Sequence, residues 1–419
     1  MVEIVGISAR EILDSRANPS IEAEVRLSDG SVGVASVPSG ASTGKNEAKE
    51  LRDTDSPRYH RKGVLAAVEN VNEIIFPALV GISPFDGAEA DSVMIALDGT
   101  GNKSKLGANA ILSVSVAIAR AAAASLGIPL YRYLGGSYIS KMPIPLMNVL
   151  NGGAHAANNI DIQEFMLAPI GAESFADAVR MCSEVYITLK NVLGAKGYAT
   201  AVGDEGGFAP MLSSDEEAIE LLLLAIEKSG YSAERDIKIA LDAAASEWYA
   251  NGSYFLGKRG ISFTSDALVD YFADLARKYP IISIEDPMGE DDEYGWEKIS
   301  SRTLSGGMRL VGDDLFVTDA ERIRLGAKKK IANTALIKPN QIGSVSETVE
   351  AIDAARSVGY GVIVSHRSGE TEDTFIADLA VAKAADFVKM GAPARGERTA
   401  KYNRLMKIES ELFAPSYGI

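Results

Sequence analysis

The chain contains 419 residues, of which 47% are hydrophobic and 24% are charged, a composition typical of globular proteins. The formal net charge of −15 argues against nucleic acid and against an anionic membrane surface as partners. If the substrate is an anion, the site therefore needs cations of its own, and a metal ion could supply them.

The N-terminal segment "MVEIVGISAR" has neither the basic region nor the apolar core of a signal peptide, so we expect a cytoplasmic protein. The longest apolar stretch, around residues 111–124, is interrupted by Ser113, Ser115 and Arg120. It does not reach the roughly 18 apolar residues that a membrane span requires. The single cysteine, Cys182, cannot form an internal disulfide and is expected to be a small packing residue.

The N-terminal part of the chain combines strand and helix patterns. Residues 19–28 alternate between apolar and polar side chains, and a turn then leads into the run "SVGVASV", which predicts a β-meander. From about residue 58 to 126 the apolar residues follow a helical period. We therefore expect a small α+β domain over residues 1–136, ending at a pair of glycines, and a second domain over residues 137–419.

Two short apolar runs follow, "IPLMNVL" and "IDIQEFMLA", and only about ten residues separate them. A parallel crossover needs a dozen or more residues, so this pair of strands is expected to be antiparallel. Beyond about residue 235, short apolar runs alternate with amphipathic helices. This alternation predicts a parallel α/β barrel or a doubly wound sheet.

Each of the six apolar runs in that region ends on ionisable side chains. Because parallel strands of a barrel end at one face, these side chains are expected to meet in one cavity. A single carboxylate could instead cap the next helix, and a single lysine could lie at a solvated rim. Capping does not explain why anions and cations share one edge. The six residues are Asp242, Glu285, Asp313, Lys338, His366 and Lys389.

The three carboxylates of this set, Asp242, Glu285 and Asp313, favour a hard cation such as Mg²⁺. Unpaired, they would repel one another, and a divalent ion would relieve that repulsion. An ion-pair network with Lys338 and Lys389 is the structural alternative. Beside a metal, protonation of Lys338 is disfavoured, so this lysine could act as a general base near neutral pH. A lysine base beside a metal fits removal of the α-proton of a carboxylate.

Two glycine-rich segments are compatible with loops of a site. "AVGDEGGFAP" places Asp204 and Glu205 between helical segments, and a plain turn explains that pattern equally well. "VPSGASTGKNE" fails the phosphate-loop pattern, because three rather than four residues separate its glycines and Asn46 follows Lys45. It remains a flexible Gly- and Ser-rich loop, a candidate lid over a ligand.

The chain resembles the enolase family in segments that run almost from end to end and keep the order of the family. They begin with "AREILDSRANPSIE" and "SGASTGKNEA", continue through "NVLNGGAHAANN", "GDEGGFAP", "SIEDP" and "VGDDLFVT", and finish with "LIKPNQIGS", "SHRSGETEDT" and "AKYNRLMKIE". The resemblance implies a glycolytic and gluconeogenic lyase that dehydrates 2-phosphoglycerate reversibly to phosphoenolpyruvate, with two Mg²⁺ ions in each active site.

The resemblance also implies roles for individual residues. Asp242, Glu285 and Asp313 would hold the first Mg²⁺, and Ser39 would complete a second site that also takes the substrate phosphate. Lys338 would remove the C2 proton. The departing C3 hydroxyl would be protonated by Glu205, with assistance from Glu164. The residues expected to contact the substrate are His155, Gln163, His366, Arg367, Ser368 and Lys389.

The fold that the resemblance implies is a small α+β N-terminal domain followed by a TIM-type β/α barrel that begins ββαα. The family is dimeric or octameric, so we expect a homo-oligomer that binds a small molecule and neither nucleic acid nor membrane. Two departures from the family are small. Ala17 stands where glycine is usual, and His60 is unusual, but neither position is assigned to the chemistry.

Two alternatives compete with this interpretation. A sugar-acid dehydratase or racemase of the same barrel superfamily would share the metal carboxylates. It would lack the phosphate-handling segments "SGASTG" and "SHRSGETED", which are intact here. A non-catalytic protein built on a decayed enolase would have lost Lys338, Glu205 or a metal carboxylate, and all of these are present.

Overall fold

The computed structural model of the protein describes residues 2–40 and 44–418. Residues 41–43, in the middle of the candidate lid, lie outside the described residues, so the lid stays a prediction. The N-terminal domain begins with an antiparallel sheet whose strands follow one another in space. These strands are β1 (Ile4–Leu13), β2 (Pro19–Leu27) and β3 (Val32–Ser36).

The meander that the sequence predicts is confirmed, with β2 in the middle. Ile21 and Val25 are buried on one face, whereas the polar residues between them are more exposed. The sheet packs against the helix Ala108–Ser125. At Gly33 a Cβ atom would lie 2.1 Å from the carbonyl oxygen of Ala117, so glycine is required for helix and sheet to approach this closely.

The helix Ala108–Ser125 is long and apolar enough to cross a membrane by length and composition alone, although the sequence led us to expect no such segment. However, 83% of it is buried inside the protein. It is therefore the core helix of the N-terminal domain, and no other helix among the described residues meets the same criterion. The other helical segments of this domain are Arg58–Arg61, Leu65–Glu69, Asn70–Ile75, Phe76–Leu79, Gly87–Asp98 and Leu130–Gly135.

The second domain is built on a closed barrel of eight strands, which excludes the doubly wound sheet. The strands are β4 (Ile144–Asn151), β5 (Glu164–Ala168), β6 (Lys238–Asp242), β7 (Ile281–Glu285), β8 (Arg309–Gly312), β9 (Thr334–Ile337), β10 (Gly361–Ser365) and β11 (Phe387–Lys389). β4 pairs antiparallel with β5, as its short connection predicts, and β5 pairs antiparallel with β6. The other neighbours around the ring are parallel.

Two helices, Phe175–Ala195 and Asp215–Lys228, separate β5 from β6, so the barrel begins in the expected ββαα order. From β6 onward, strands and helices alternate. The remaining helices are Ser265–Lys278, Glu293–Thr303, Ala320–Lys329, Pro339–Ile342, Val345–Ser357, Phe375–Ala382 and Gly396–Glu411, and 3₁₀ turns span Gly153–His155, Ala245–Trp248 and Leu304–Gly306.

Side chains fill the inside of the barrel, so the ring is a packed core rather than a pore. Two small sheets accompany it. One contains Tyr249–Ala250, Ser253–Leu256 and Ile261–Thr264, and the other pairs Lys141–Met142 with Ser416–Tyr417. The buried residues inside the ring include Ile144, Leu146, Met166, Ala240, Val311, Leu336, Ile363 and Phe387.

Candidate active site

The carboxyl ends of the seven parallel barrel strands and the amino end of β5 open into a cavity of about 440 Å³. All the site residues predicted from the sequence line this cavity except Glu285 and Ser39. Glu285 is buried beside it and bonded to Lys389. Ser39 does not face the cavity, but its backbone N–H donates to the carbonyl oxygen of Gly369, next to the predicted substrate-binding turn.

The carboxylates at the strand ends do not cap the α-helices that follow them. The α-helices that follow β6, β7 and β8 begin after Thr264, Asp292 and Asp319, and each of these accepts a first-turn N–H with its own side chain. The capping alternative for Asp242 and Glu285 is therefore wrong. Their carboxylates are available for the cavity.

Lys389, at the end of β11, joins several of these carboxylates. Its ammonium group donates to Asp242 Oδ2 at 2.9 Å and to both oxygens of Glu285 at 2.9 and 2.8 Å, and it lies 3.2 Å from Glu164 Oε1. Burial lowers the pKa of Lys389, but the charges of Asp242, Glu164 and Glu285 outweigh burial and raise it well above its usual value. Lys389 is therefore a permanent buried cation.

Lys338, immediately after β9, contacts a different carboxylate. Its Nζ atom lies 2.5 Å from Asp313 Oδ2, and the other Asp313 oxygen accepts a hydrogen bond of 2.8 Å from Gln341. Burial lowers the pKa of Lys338, but the Asp313 carboxylate outweighs burial and raises it. The sequence argument expected a disfavoured ammonium. In the protein without a metal the ammonium form is favoured instead, because Asp313 is the nearest charge.

Two aspartates that the sequence argument missed, Asp286 and Asp314, stand beside Asp313. The three residues bring one carboxylate oxygen each within 4.8 Å of one another. Asp286 accepts the backbone N–H groups of Asp313 at 3.0 Å and of Asp314 at 2.8 Å. Burial and the Asp313 charge raise the pKa of Asp314 to about 8. The adjacent acidic pairs in "SIEDP" and "VGDD" were the available signal.

A second acidic group contains the two predicted acid residues. Glu164 and Glu205 are buried, and His155 Nδ1 lies 3.5 Å from Glu164 Oε1 and 3.6 Å from Glu205 Oε1. Asn148 donates to the other oxygen of Glu205 at 2.9 Å. Burial raises the pKa of Glu164 well above its usual value, and the neighbouring Glu205 raises it further. The pKa of Glu205 moves the other way: burial raises it, but the facing imidazoles and Arg398 outweigh burial and lower it well below its usual value. A proton that the pair holds at neutral pH therefore lies on Glu164.

His366, which follows β10, is held from behind by a residue that the sequence argument missed. The fully buried Arg398 contacts His366 Nδ1 at 2.7 Å and donates to the carbonyl oxygens of Arg367 and Ser368, each at 2.6 Å. Burial lowers the pKa of His366 to about 3, so the imidazole is neutral. Since Arg398 only donates, Nδ1 accepts and the proton lies on Nε2, which faces Glu205 Oε2 at 3.4 Å.

Arg367 is expected to hold the substrate phosphate, and it already binds an oxyanion. Its two terminal nitrogens donate to the two oxygens of Glu47 at 3.0 and 3.1 Å. This fork matches a carboxylate as it would match a phosphate. Glu47 belongs to the N-terminal domain, so the contact also joins the two domains across the site.

The donor set fits a hard divalent cation. Burial and the nearby Asp242 raise the pKa of Glu285 well above its usual value, as expected for several carboxylates in one dry place. Oxygen ligands of this kind suit Mg²⁺. The three predicted ligands are not gathered around one point, however. Asp242 and Glu285 share Lys389, whereas Asp313 binds Lys338 and groups with Asp286 and Asp314.

Comparison with models of known families gives two matches that together cover nearly the whole chain. Residues 4–134 match the model described as the enolase N-terminal domain. Residues 139–417 match the model described as the enolase C-terminal TIM barrel domain. The first match covers the meander and its helices, and the second covers the barrel and its cavity.

Proposed function

The chain belongs to the enolase family, and we propose that it catalyses the reversible, Mg²⁺-dependent dehydration of 2-phosphoglycerate to phosphoenolpyruvate. One observation carries the proposal. A lysine and a pair of glutamates, which suit removal of a proton and loss of a hydroxyl, line one cavity together with an arginine that binds an oxyanion. A lyase of this family needs all three elements.

The metal ligands proposed here are those that the family resemblance implies. Asp242, Glu285 and Asp313 would hold one ion, and Ser39 would contribute to a second near Arg367 and the phosphate. The ions would supply positive charge that stabilises the substrate carboxylate as it gains electron density. The Lys338 ammonium would lose Asp313 as its partner if Asp313 turned toward a metal, which would lower the pKa of Lys338 toward that of a usable base.

In this proposal the protein side chains move two protons. Neutral Lys338 takes the C2 proton and becomes an ammonium group. Glu164 supplies the proton of the pair to Glu205, and Glu205 then delivers it to the departing C3 hydroxyl, which leaves as water. Lys389 remains charged throughout and pairs with carboxylates, that of the substrate included.

The other lining residues orient the substrate. Arg367 would exchange Glu47 for the phosphate, and Ser368 lies next to it on the same turn. His366 presents an N–H rather than a charge, since its pKa is about 3. His155 and Gln163 lie on the β4–β5 side of the cavity and would contact the rest of the substrate.

The direct test follows the ultraviolet absorbance of the enol product after addition of 2-phosphoglycerate, first with Mg²⁺ and then with EDTA. We expect product only with the metal. Glycerate, which lacks the phosphate, is the matched control substrate and should give no signal. Equal turnover of glycerate would favour another acid-sugar dehydratase, and a folded protein inactive on both would reject the proposal.

We also propose that the protein is a homo-oligomer, a dimer or an octamer, as the family resemblance implies. Sedimentation equilibrium over a range of protein concentrations tests this directly. A mass equal to one 44.4 kDa chain at every concentration would contradict it.

A further inference from the structure

A hairpin outside the barrel reaches the loop that carries His155. Its strands, Ser253–Leu256 and Ile261–Thr264, pair in antiparallel register, and the tip between them contains Lys258 and Arg259. The N–H of Gly260 donates to the carbonyl oxygen of Leu256 at 2.8 Å and closes the tip. The loop that it meets connects β4 to β5, and we refer to residues 152–160 as the His155 loop.

Lys258 binds the His155 loop from the solvent side with all three donors that an ammonium group has. Its Nζ atom lies 2.6 Å from the carbonyl oxygen of Gly153, 2.8 Å from that of Ala156 and 3.3 Å from Asn158 Oδ1. Gly153 and Ala156 lie at the two ends of a single 3₁₀ turn. Carbonyl oxygens at the end of a helical turn lack partners within the turn, so a cation is a favourable one.

The tip of the hairpin is itself fixed. The backbone N–H of Lys258 donates to Asp161 Oδ1 at 3.0 Å, and Arg259 Nε donates to Asp161 Oδ2 at 2.8 Å. Arg259 also lies 2.7 Å from Asp215 Oδ2, and Asp215 is fully buried at the start of the helix Asp215–Lys228. Lys258 therefore projects from a braced support rather than from a free turn.

The inner side of the His155 loop is anchored separately. The Asn158 side-chain amide donates to the carbonyl oxygens of Asn151 at 2.8 Å and Pro210 at 3.2 Å, while its oxygen faces Lys258. The imidazole of His155 points inward, between Glu164 and Glu205. The loop is thus held on two sides, and Lys258 provides the outer one.

We propose that Lys258 is a positioning residue, which latches the His155 loop against the barrel and keeps His155 in place before the substrate arrives. The inference rests on the proposed function, in which His155 contacts the substrate. Without the latch, substrate binding would have to order the loop. The apparent affinity would then equal the affinity of the ordered protein multiplied by the fraction of molecules in which the loop is already in place.

The kinetic test compares Lys258→Met with Lys258→Arg and with Lys228→Met, which removes an exposed lysine from a helix end. For Lys258→Met we expect the KM for 2-phosphoglycerate to rise about 10-fold and kcat to stay within about 2-fold, because the bound loop is ordered in either protein. Lys258→Arg should restore most of the KM, and Lys228→Met should behave as the parent protein. An unchanged KM in Lys258→Met would overturn the proposal. A fall in kcat as large as the rise in KM would also overturn it.

Hydrogen exchange of the ligand-free protein provides a readout that does not depend on activity. Amides of residues 152–160 should exchange about 10-fold faster in Lys258→Met, as expected when charge-assisted hydrogen bonds that close a loop are lost. Peptides of the N-terminal sheet should be unaffected. Unchanged exchange in the His155 loop would overturn the latch. If the parent protein does not dehydrate 2-phosphoglycerate, the proposed function fails, while this measurement still decides whether Lys258 holds the loop.

Discussion

Two lysines at the ends of barrel strands meet different surroundings. Lys389 binds Asp242 and Glu285 and lies close to Glu164, whereas Lys338 binds a single oxygen of Asp313. Both line the same cavity, and in both cases carboxylates outweigh the loss of solvation and raise the pKa of the ammonium group. The difference between them is the number of carboxylates that each ammonium group neutralises.

That number assigns the roles. A proton leaving Lys389 would leave three buried carboxylates without their cation, which is costly in a dry site. A proton leaving Lys338 exposes only one carboxylate, that of Asp313. Within the proposed function, the comparison therefore favours Lys389 as the fixed cation and Lys338 as the residue that exchanges a proton with the substrate.

The largest expected effect comes from removing Lys338, the proposed base. Lys338→Ala should abolish exchange of the C2 proton of 2-phosphoglycerate with solvent, by at least about 10²-fold, the usual contribution of a positioned base. Glu205→Gln should spare that exchange and lose dehydration to a similar extent. Exchange is followed by NMR in deuterated buffer, and dehydration by the absorbance of the product. Equal loss of exchange in the two variants would contradict the division of roles.

Removing the fixed cation should affect stability more than removing Lys338. Lys389→Met leaves Asp242 and Glu285 buried without their partner, and breaking a buried pair from one side costs about 3–5 kcal/mol. Lys338→Met, the matched control, uncovers a single carboxylate and should cost less. Urea unfolding without metal compares the two variants with the parent protein. If Lys338→Met proved the less stable variant, the comparison would be reversed.

The sequence predicted the fold and most of the cavity because apolar runs in the sequence mark the strands and therefore the residues at which they end. Asp242, Lys338 and His366 close apolar runs, and a parallel barrel brings such ends together whatever their distance along the chain. Contacts between separate elements leave no such pattern. Nothing in the sequence links Arg398 to His366, or Lys258 to the loop of His155.

The sequence also could not give the charge state of the site. Lys338 was expected to lose its proton easily beside a metal, and the structure pairs it with Asp313 instead. Which carboxylate contacts which lysine depends on side-chain conformations, and these place the charged atoms to within a few ångströms. Asp242 and Glu285 contact Lys389, whereas Asp313 contacts Lys338. This separation depends on side-chain conformation, so only the structure shows it.

The next prediction concerns metal binding, and it tests whether Mg²⁺ binds the carboxylates that contact the two lysines in the metal-free protein. Mg²⁺ at about 100 times its dissociation constant should raise the free energy of unfolding by about 2.7 kcal/mol, provided that it binds only the folded state. Asp313→Asn removes a ligand and should lose most of this gain. Asp353→Asn, at an exposed position, should keep it. Thermal unfolding with Mg²⁺ or with EDTA gives the difference, and an equal gain in Asp313→Asn would remove Asp313 from the metal site.

The smallest effect concerns His366, the uncharged residue that follows β10, the strand between β9 and β11. Burial lowers the pKa of His366 to about 3, well below that of an unfolded histidine. The unfolded chain therefore binds the proton first as the pH falls, and stability that is present above about pH 6.5 is progressively lost below it. From about pH 7.5 to about pH 5, His366 should lower the free energy of unfolding by about 2 kcal/mol.

His366→Asn isolates that contribution, because asparagine does not titrate in this range. Whatever its absolute stability, the variant should show a shallower decline of unfolding free energy over the same pH interval than the parent protein. His60→Asn replaces an exposed histidine and should leave the decline as it is in the parent. Urea unfolding at each pH measures all three slopes. An unchanged slope in His366→Asn would mean that His366 takes up its proton over the same pH range in the folded protein as in the unfolded chain, so that burial does not keep it neutral.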